Sequence, residues 1–126
     1  MASGMSQTLA QSVLDAIFNG VDFSFGTAYL ALHATAPTAT AFGTEVTGGS
    51  YARPAISAGT PATGAIASDA TALFSNMPAC TIAGAAIVDT PSGAPTNWLY
   101  IDGMSRVVSA GENLTVEVGD LTASLT

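Results

Sequence analysis

The stretch Thr27-Ala28-Tyr29-Leu30-Ala31-Leu32-His33-Ala34 decides the fold of this chain. Tyr29, Ala31 and His33 alternate with Ala28, Leu30 and Leu32. Successive side chains of a strand point to opposite faces of a sheet. The spacing therefore predicts a strand over 27–34, buried on at least one side. Ala36-Pro37-Thr38 ends it, because proline lacks a ladder donor and restricts the residue before it.

Towards the N-terminus, residues 1–7 are small and polar with two Met, and are expected to form a frayed tail or an arm that orders on a neighbour. A helix is expected over 8–20. Thr8 and Gln11 have capping-box spacing. Leu9, Val13, Ile17 and Leu14, Phe18 recur at helical spacing as one apolar stripe. Asn19-Gly20 supplies a left-handed stop. A helix of about three turns is marginal alone, so the stripe must dock on its own sheet or on a sister subunit. The residues leave both open. Val21, Phe23 and Phe25 suggest a short lead-in strand or an extended connection.

Towards the C-terminus, 35–50 is a long connection with little pattern, the kind that is usually functional or mobile. A second strand over 51–57 is limited to an edge, or cut short, by Pro54. Residues 58–64 read as a loop. Weak alternation over 65–74 ends at Asn76-Met77-Pro78. The span 80–88 reads as one strand despite Gly84, and 89–95 is a turn cluster. Strands over 97–101 and 106–109 flank Asp102-Gly103, a hairpin-type dipeptide. After a turn at 110–113, Leu114, Val116, Val118 and then Leu121, Ala123, Leu125 alternate about Gly119-Asp120. These are roughly seven or eight short strands between Gly/Pro punctuation. The expected fold is mainly β, an antiparallel β-sandwich or small barrel with one N-terminal α-helix. At 126 residues the chain is expected to form a single domain, 1–126, with an arm (1–7), a helix (8–20) and a β body (21–126).

Charge narrows the function. Arg53 and Arg106 are the only basic side chains against nine carboxylates, a formal charge of −7. Nucleic-acid binding needs clustered cations, and anionic membranes select for them too, so neither partner is expected. No apolar run approaches the ~20 residues of a membrane span, and residues 1–6 lack the pattern of an export signal. Only 9% of residues are charged, where about 25% is ordinary. A surface so poor in charge points to burial in an oligomer or larger assembly. One cysteine, Cys80, cannot form an internal disulfide, and it reads as a small core residue of a chain folded in a reducing cytoplasm.

Chemistry is nearly absent from the pattern. His33 is the single histidine, without a visible acid and nucleophile beside it, and reads as a structural or interface residue. One His and one Cys cannot build a zinc site without carboxylates. The acids Asp15, Asp22, Glu45, Asp69, Asp89, Asp102, Glu112, Glu117 and Asp120 lack calcium-loop spacing. Gly48-Gly49-Ser50 lacks the Lys and helix of a phosphate loop. No catalytic, cofactor or metal site is expected, and the chain is not expected to be an enzyme. Five residues stand out instead as interface candidates: Arg53, Arg106, Trp98, Tyr100 and Phe18. Each arginine is expected to meet a carboxylate of its own chain or a neighbour, and a bidentate pair would fix orientation. Trp98 and Tyr100 suit half-buried sheet packing, an interface anchor or a sugar platform.

The blocks Leu30-Ala31-Leu32-His33-Ala34-Thr35-Ala36-Pro37, Gly43-Thr44-Glu45-Val46 and Gly48-Gly49-Ser50-Tyr51-Ala52-Arg53 together resemble small virion proteins of tailed bacteriophages. The ending from Val108 to Thr126 is similar to the endings of the same proteins. That resemblance implies a capsid decoration (cement) protein or a tail-fibre protein. It leads to a first expectation: a homo-oligomer, a trimer, that binds the major capsid protein and reinforces the head lattice by multivalent burial. A tail-fibre or collar component ranks second, because no fibrous repeat or receptor-binding tip is visible. A small carbohydrate-binding β-sandwich using Trp98 and Tyr100 ranks third. The expected location is the virion, assembled in the host cytoplasm.

Overall fold

Leu30, Ala31, Leu32 and His33 are 3%, 0%, 6% and 0% exposed, so the anchor strand is covered on both faces. It occupies the middle of a computed structural model that describes residues 3–119 and 122–124. In chain order the elements are β1 (Ser3–Met5), α1 (Gln7–Asn19), β2 (Ala28–Thr35), β3 (Thr44–Glu45), β4 (Ala55–Ile56), β5 (Ala65–Ala67) and β6 (Ala72–Phe74). There follow β7 (Cys80–Ile82), β8 (Gly84–Val88), β9 (Trp98–Ile101), β10 (Arg106–Val108), β11 (Leu114–Val116) and β12 (Thr122–Ser124). The protein is mainly β and antiparallel, with one helix near the N-terminus among the described residues.

A six-stranded sheet runs β1-β9-β8-β2-β3, with β4 also paired to β2. Strand β4 pairs with Ala28 and Tyr29, whereas β3 pairs at His33 and Thr35. The remaining strands form three two-stranded ladders: β7–β10, β6–β11 and β5–β12. With β8–β9 these pairings nest inside one another. From β5 outward and back, the chain is one long interrupted ribbon whose innermost hairpin, β8–β9, is built into the large sheet.

The ribbon folds across one face of β2. Leu30 and Leu32 meet Val46, Phe74, Met77, Ile82, Val108 and Leu114 there, and this is the main core. The other face carries a smaller cluster, Ala31, Ala86, Val88 and Trp98, closed by Phe42, Tyr29 and Tyr100.

Several expectations are corrected. Residues 3–7 are not an arm: β1 pairs with β9 through Ser3↔Ile101, Gly4↔Tyr100 and Met5↔Leu99. The helix begins at Gln7 and its cap is Ser6, whose Oγ accepts the Leu9 N–H at 3.2 Å. The same Oγ accepts the Trp98 N–H, so Ser6 is held by the sheet, and Thr8 lies inside the helix. Gly20 does supply the left-handed stop, at φ 66°. Residues 21–25 form an extended connection with no strand.

The span 80–88 is two strands in two sheets. Ala83 redirects the chain, its N–H donating to His33 O and its carbonyl accepting from Met104. Gly84 is then needed for close approach, since a Cβ there would lie 2.7 Å from Ile101 O. For the same reason Asp102-Gly103 is not a hairpin: β9 stays in the large sheet while β10 joins β7. The connection 35–50 is folded against the sheet, with β3 in it, Phe42 closing the second-face cluster and Val46 in the main core. Among the described residues, twelve short strands replace the roughly seven or eight expected. Asp120, Leu121 and Leu125, included in the expected final alternation, lie outside the described residues.

Candidate functional site

Three features stand apart from ordinary packing: a buried polar node at one end of β2, and two apolar surfaces that the described residues leave open.

The node is built on Arg53. The chain turns at Gly48-Gly49 and returns beside β2, where Pro54 O accepts the Leu30 N–H. This places the Arg53 side chain, 3% exposed, against β3. Its Nε donates to Glu45 Oε2 at 2.8 Å and its Nη2 to Glu45 Oε1 at 2.7 Å, a bidentate pair. Nη2 also donates to Gly93 O, and Nη1 donates to Thr90 O and Thr90 Oγ1. All five guanidinium N–H groups are thus used within the chain. Tyr51 Oη donates to Glu45 Oε2 at 2.6 Å and accepts the Leu32 N–H at 2.9 Å. The guanidinium lies 5.6 Å from the Phe42 ring centroid.

Electrostatics follow from this wiring. Burial alone would raise the Glu45 carboxyl, but the hydrogen bonds from Arg53 and Tyr51 outweigh it and hold the group below its usual range. Arg53 is pushed higher, first by its Glu45 hydrogen bonds. Tyr51 is raised by burial and by donating to Glu45. His33 faces Glu45 across the β2–β3 pairing and meets Phe42 edge-on at 4.5 Å between centroids. It is fully buried, and neither ring nitrogen has a hydrogen-bond partner. Desolvation lowers its pKa to about 4, with Glu45 opposing and Arg53 assisting. The imidazole is neutral near pH 7 and closed off from solvent. The node is a structural clamp joining β2, β3 and the 89–95 turn.

The other candidates scatter. Arg106 lies 3.5 Å from Glu112 and is 59% exposed, a surface pair of small energetic weight. Trp98 is 9% exposed and donates its Nε1–H to Thr38 O at 2.9 Å, so its indole is covered. Tyr100 is half-buried, its ring lying across Gly4 of β1. The covered indole of Trp98 leaves no open stacking face of the kind a sugar platform requires. Cys80 is half-buried beside the main core, and burial pushes its thiol up. Among the described residues no group of three His, Cys, Asp or Glu could hold a metal, and no helix is long and apolar enough to cross a membrane.

Phe18 is different. It is 78% exposed, with Ile17 at 67% and Leu14 at 53% beside it, and Val21 and Phe23 after the helix are exposed too. The expected stripe is therefore split. Leu9 is buried and Val13 half-buried towards the body, while the larger apolar side chains face outward. Helix position relative to the body is fixed at its start, where Ser6 binds Trp98 and the Gln7 N–H donates to Ala39 O at 2.7 Å.

The second open surface is a groove of about 420 Å³ on the core face of the large sheet, near the start of β2. Ile56, Ile66, Ile87 and Leu99 line it, with Ala58 and Ser68 among the smaller residues, and no charged residue does. Reading residues in isolation missed this groove, because its isoleucines come from β4, β5 and β8. It also missed Glu45 as the partner of Arg53, although an Arg without nearby acids in its own strand was a signal to look for one.

A family model described as "Podophage GP4 fiber I protein gp80" matches residues 4–124. No curated protein matches the chain.

Proposed function

The chain belongs to the family of the podophage GP4 fiber I protein gp80, a family of phage virion structural proteins, and on that footing we propose that it is a fibre-type component of the tail or collar. The observation that carries this reading is the match itself, which spans nearly the whole chain. The protein acts by association, without catalysis and without a cofactor. Its one fully wired polar cluster, around Arg53, is closed by its own chain, while its open surfaces are apolar. Its partners on this reading are proteins, further copies of itself and neighbouring virion proteins, rather than nucleic acid or membrane. A surface with both cations already paired has nothing to offer phosphates.

A second reading keeps the protein in the virion but places it on the head as a decoration protein bound to the major capsid protein. It is favoured by the short-stranded body, in which no fibrous repeat is present among the described residues. Gold-labelled antibody against the protein, applied to intact particles in the electron microscope, separates the two. Label confined to the tail region is expected. Label spread over the head would replace the fibre reading with decoration, and particles without label would remove both.

A further inference from the structure

The helix shows its large apolar side chains to solvent, and the body holds an apolar groove that the described residues leave open. We propose that these two surfaces are complementary, and that α1 of one copy seats Leu14, Ile17 and Phe18 in the Ile56–Ile66–Ile87–Leu99 groove of a second copy.

Three observations choose a second copy as the occupant. The first is geometric. Cross-strand register puts Ala28, Ile56, Ile87 and Leu99 on one face of the large sheet, with Leu30. The helix starts on the opposite face. Ser6 and Gln7 are tied to Trp98 and Ala39 there, and Trp98 belongs to the cluster beneath that second face. In this structure the helix of a chain does not occupy its own groove, and Leu14, Ile17 and Phe18 stay exposed.

The second is electrostatic. Each copy carries a formal charge of −7, and both of its cations lie in ion pairs within the chain. Copies therefore repel wherever carboxylates face each other, and no free cation can offset this. The groove lining is uncharged and the exposed stripe is apolar, so these are surfaces on which two copies can meet without that cost.

The third is size. About 420 Å³ accommodates more than one large side chain, and pockets of 300–1,000 Å³ are of the order that specific ligands fill. A helix laid in a groove by residues one turn apart is an established recognition geometry.

The contact is heterologous, one patch against a different patch, so it closes into a ring if the rotation allows. With a two-fold rotation it closes reciprocally in a dimer, each helix in the other copy's groove, and with other rotations in a ring of three or more. The inference rests on the protein being an assembling virion component, but not on its place in the particle.

The test starts with light scattering on the full chain at micromolar concentration. An oligomer is expected, and a wild-type monomer would overturn the proposal and leave the helix to another virion protein. Phe18→Asp and Ile17→Asp are then expected to weaken self-association about 30-fold or more, as loss of an interface hot spot does. Circular dichroism should be unchanged, because both residues are exposed. Unchanged mass for either variant, with the fold intact, would overturn it. Finally, Phe18→Cys combined with Ile66→Cys in a Cys80→Ala background is expected to cross-link between chains on a non-reducing gel. Cross-links within one chain, or none, would overturn the pairing even if the protein is oligomeric. Antibody labelling of particles reads the virion assignment separately, so the two can fail independently.

Discussion

Strand β2 and helix α1 draw on the same kind of residue and do opposite things with it. In β2, Leu30 and Leu32 sink into the main core, and Ala31 and His33 fill the layer on the other side, so that four consecutive side chains are almost wholly out of water. In α1, only Leu9 is buried, and Leu14, Ile17 and Phe18 stand in solvent. Burial of a Leu, Ile or Phe side chain contributes roughly 1.5–3 kcal/mol. The fold collects that gain in β2. In α1 the same apolar area is still uncollected, available to whatever covers it. Hydrophobicity in the first 35 residues thus serves two ends, the strand the chain's own stability and the helix association.

Substitutions should separate these two uses. The largest effect is expected at Phe74, 2% exposed and stacked on Tyr51 at 5.8 Å. Phe74→Ala should lose about 3–5 kcal/mol in denaturant melts, through lost transfer energy and the cavity left behind. A cost comparable to that of a surface change would mean the main core is not what holds β2. Glu45→Ala should come close behind, at roughly 3–5 kcal/mol, because it leaves Arg53 buried and unpaired. Recovery by a second change, Arg53→Met, would show that the penalty is the stranded charge.

Acid comes next. The His33 pKa is lower folded, at about 4, than unfolded, at 6.5. The unfolded chain therefore binds the extra proton first, and stability should fall as pH drops from about 6.5 to about 4, by roughly 3 kcal/mol. Glu45, held low in the fold, loses its contribution as pH falls further, through its depressed folded pKa. His33→Leu should flatten the upper part of the curve and leave the lower part. A profile unchanged from wild type would show that His33 does not set acid sensitivity. The smallest stability effect is expected on the helix: at concentrations too low for self-association, Phe18→Ser should shift unfolding by no more than about 0.5 kcal/mol. A large loss there would mean that the chain itself uses the helix face, and would blur the contrast with β2.

Strand β2 was readable because its alternation is local and Pro37 stops it. The helix stop at Gly20 was readable for the same reason. The cap was misread because Thr8 and Gln11 fit a capping template that Ser6 does not, and Ser6 wins through Trp98, a partner 92 positions away. The break between β7 and β8 hides in a run of small apolar residues, where Ala83 and Gly84 interrupt neither composition nor period. The nested ladders join short Ala- and Thr-rich segments far apart in the chain, and segments this short carry little period of their own. Arg53, one of two cations in an acidic chain, is expected from its type alone to meet a carboxylate, and it does. That it would be sealed inside, and Phe18 left outside, depends on how the chain packs in three dimensions.

The nested ribbon also sets an order of events. Its innermost turn, at 89–97, closes a short loop, and each ladder outward begins close to one already made. The entropic cost of closing the span from β5 to β12 is thereby divided into small steps. Formation should run like a zip from β8–β9 outward. A pull that separates Ala65 from Ser124 should open the same ladders one at a time, starting with β5–β12, so that they yield in small increments rather than in a single break.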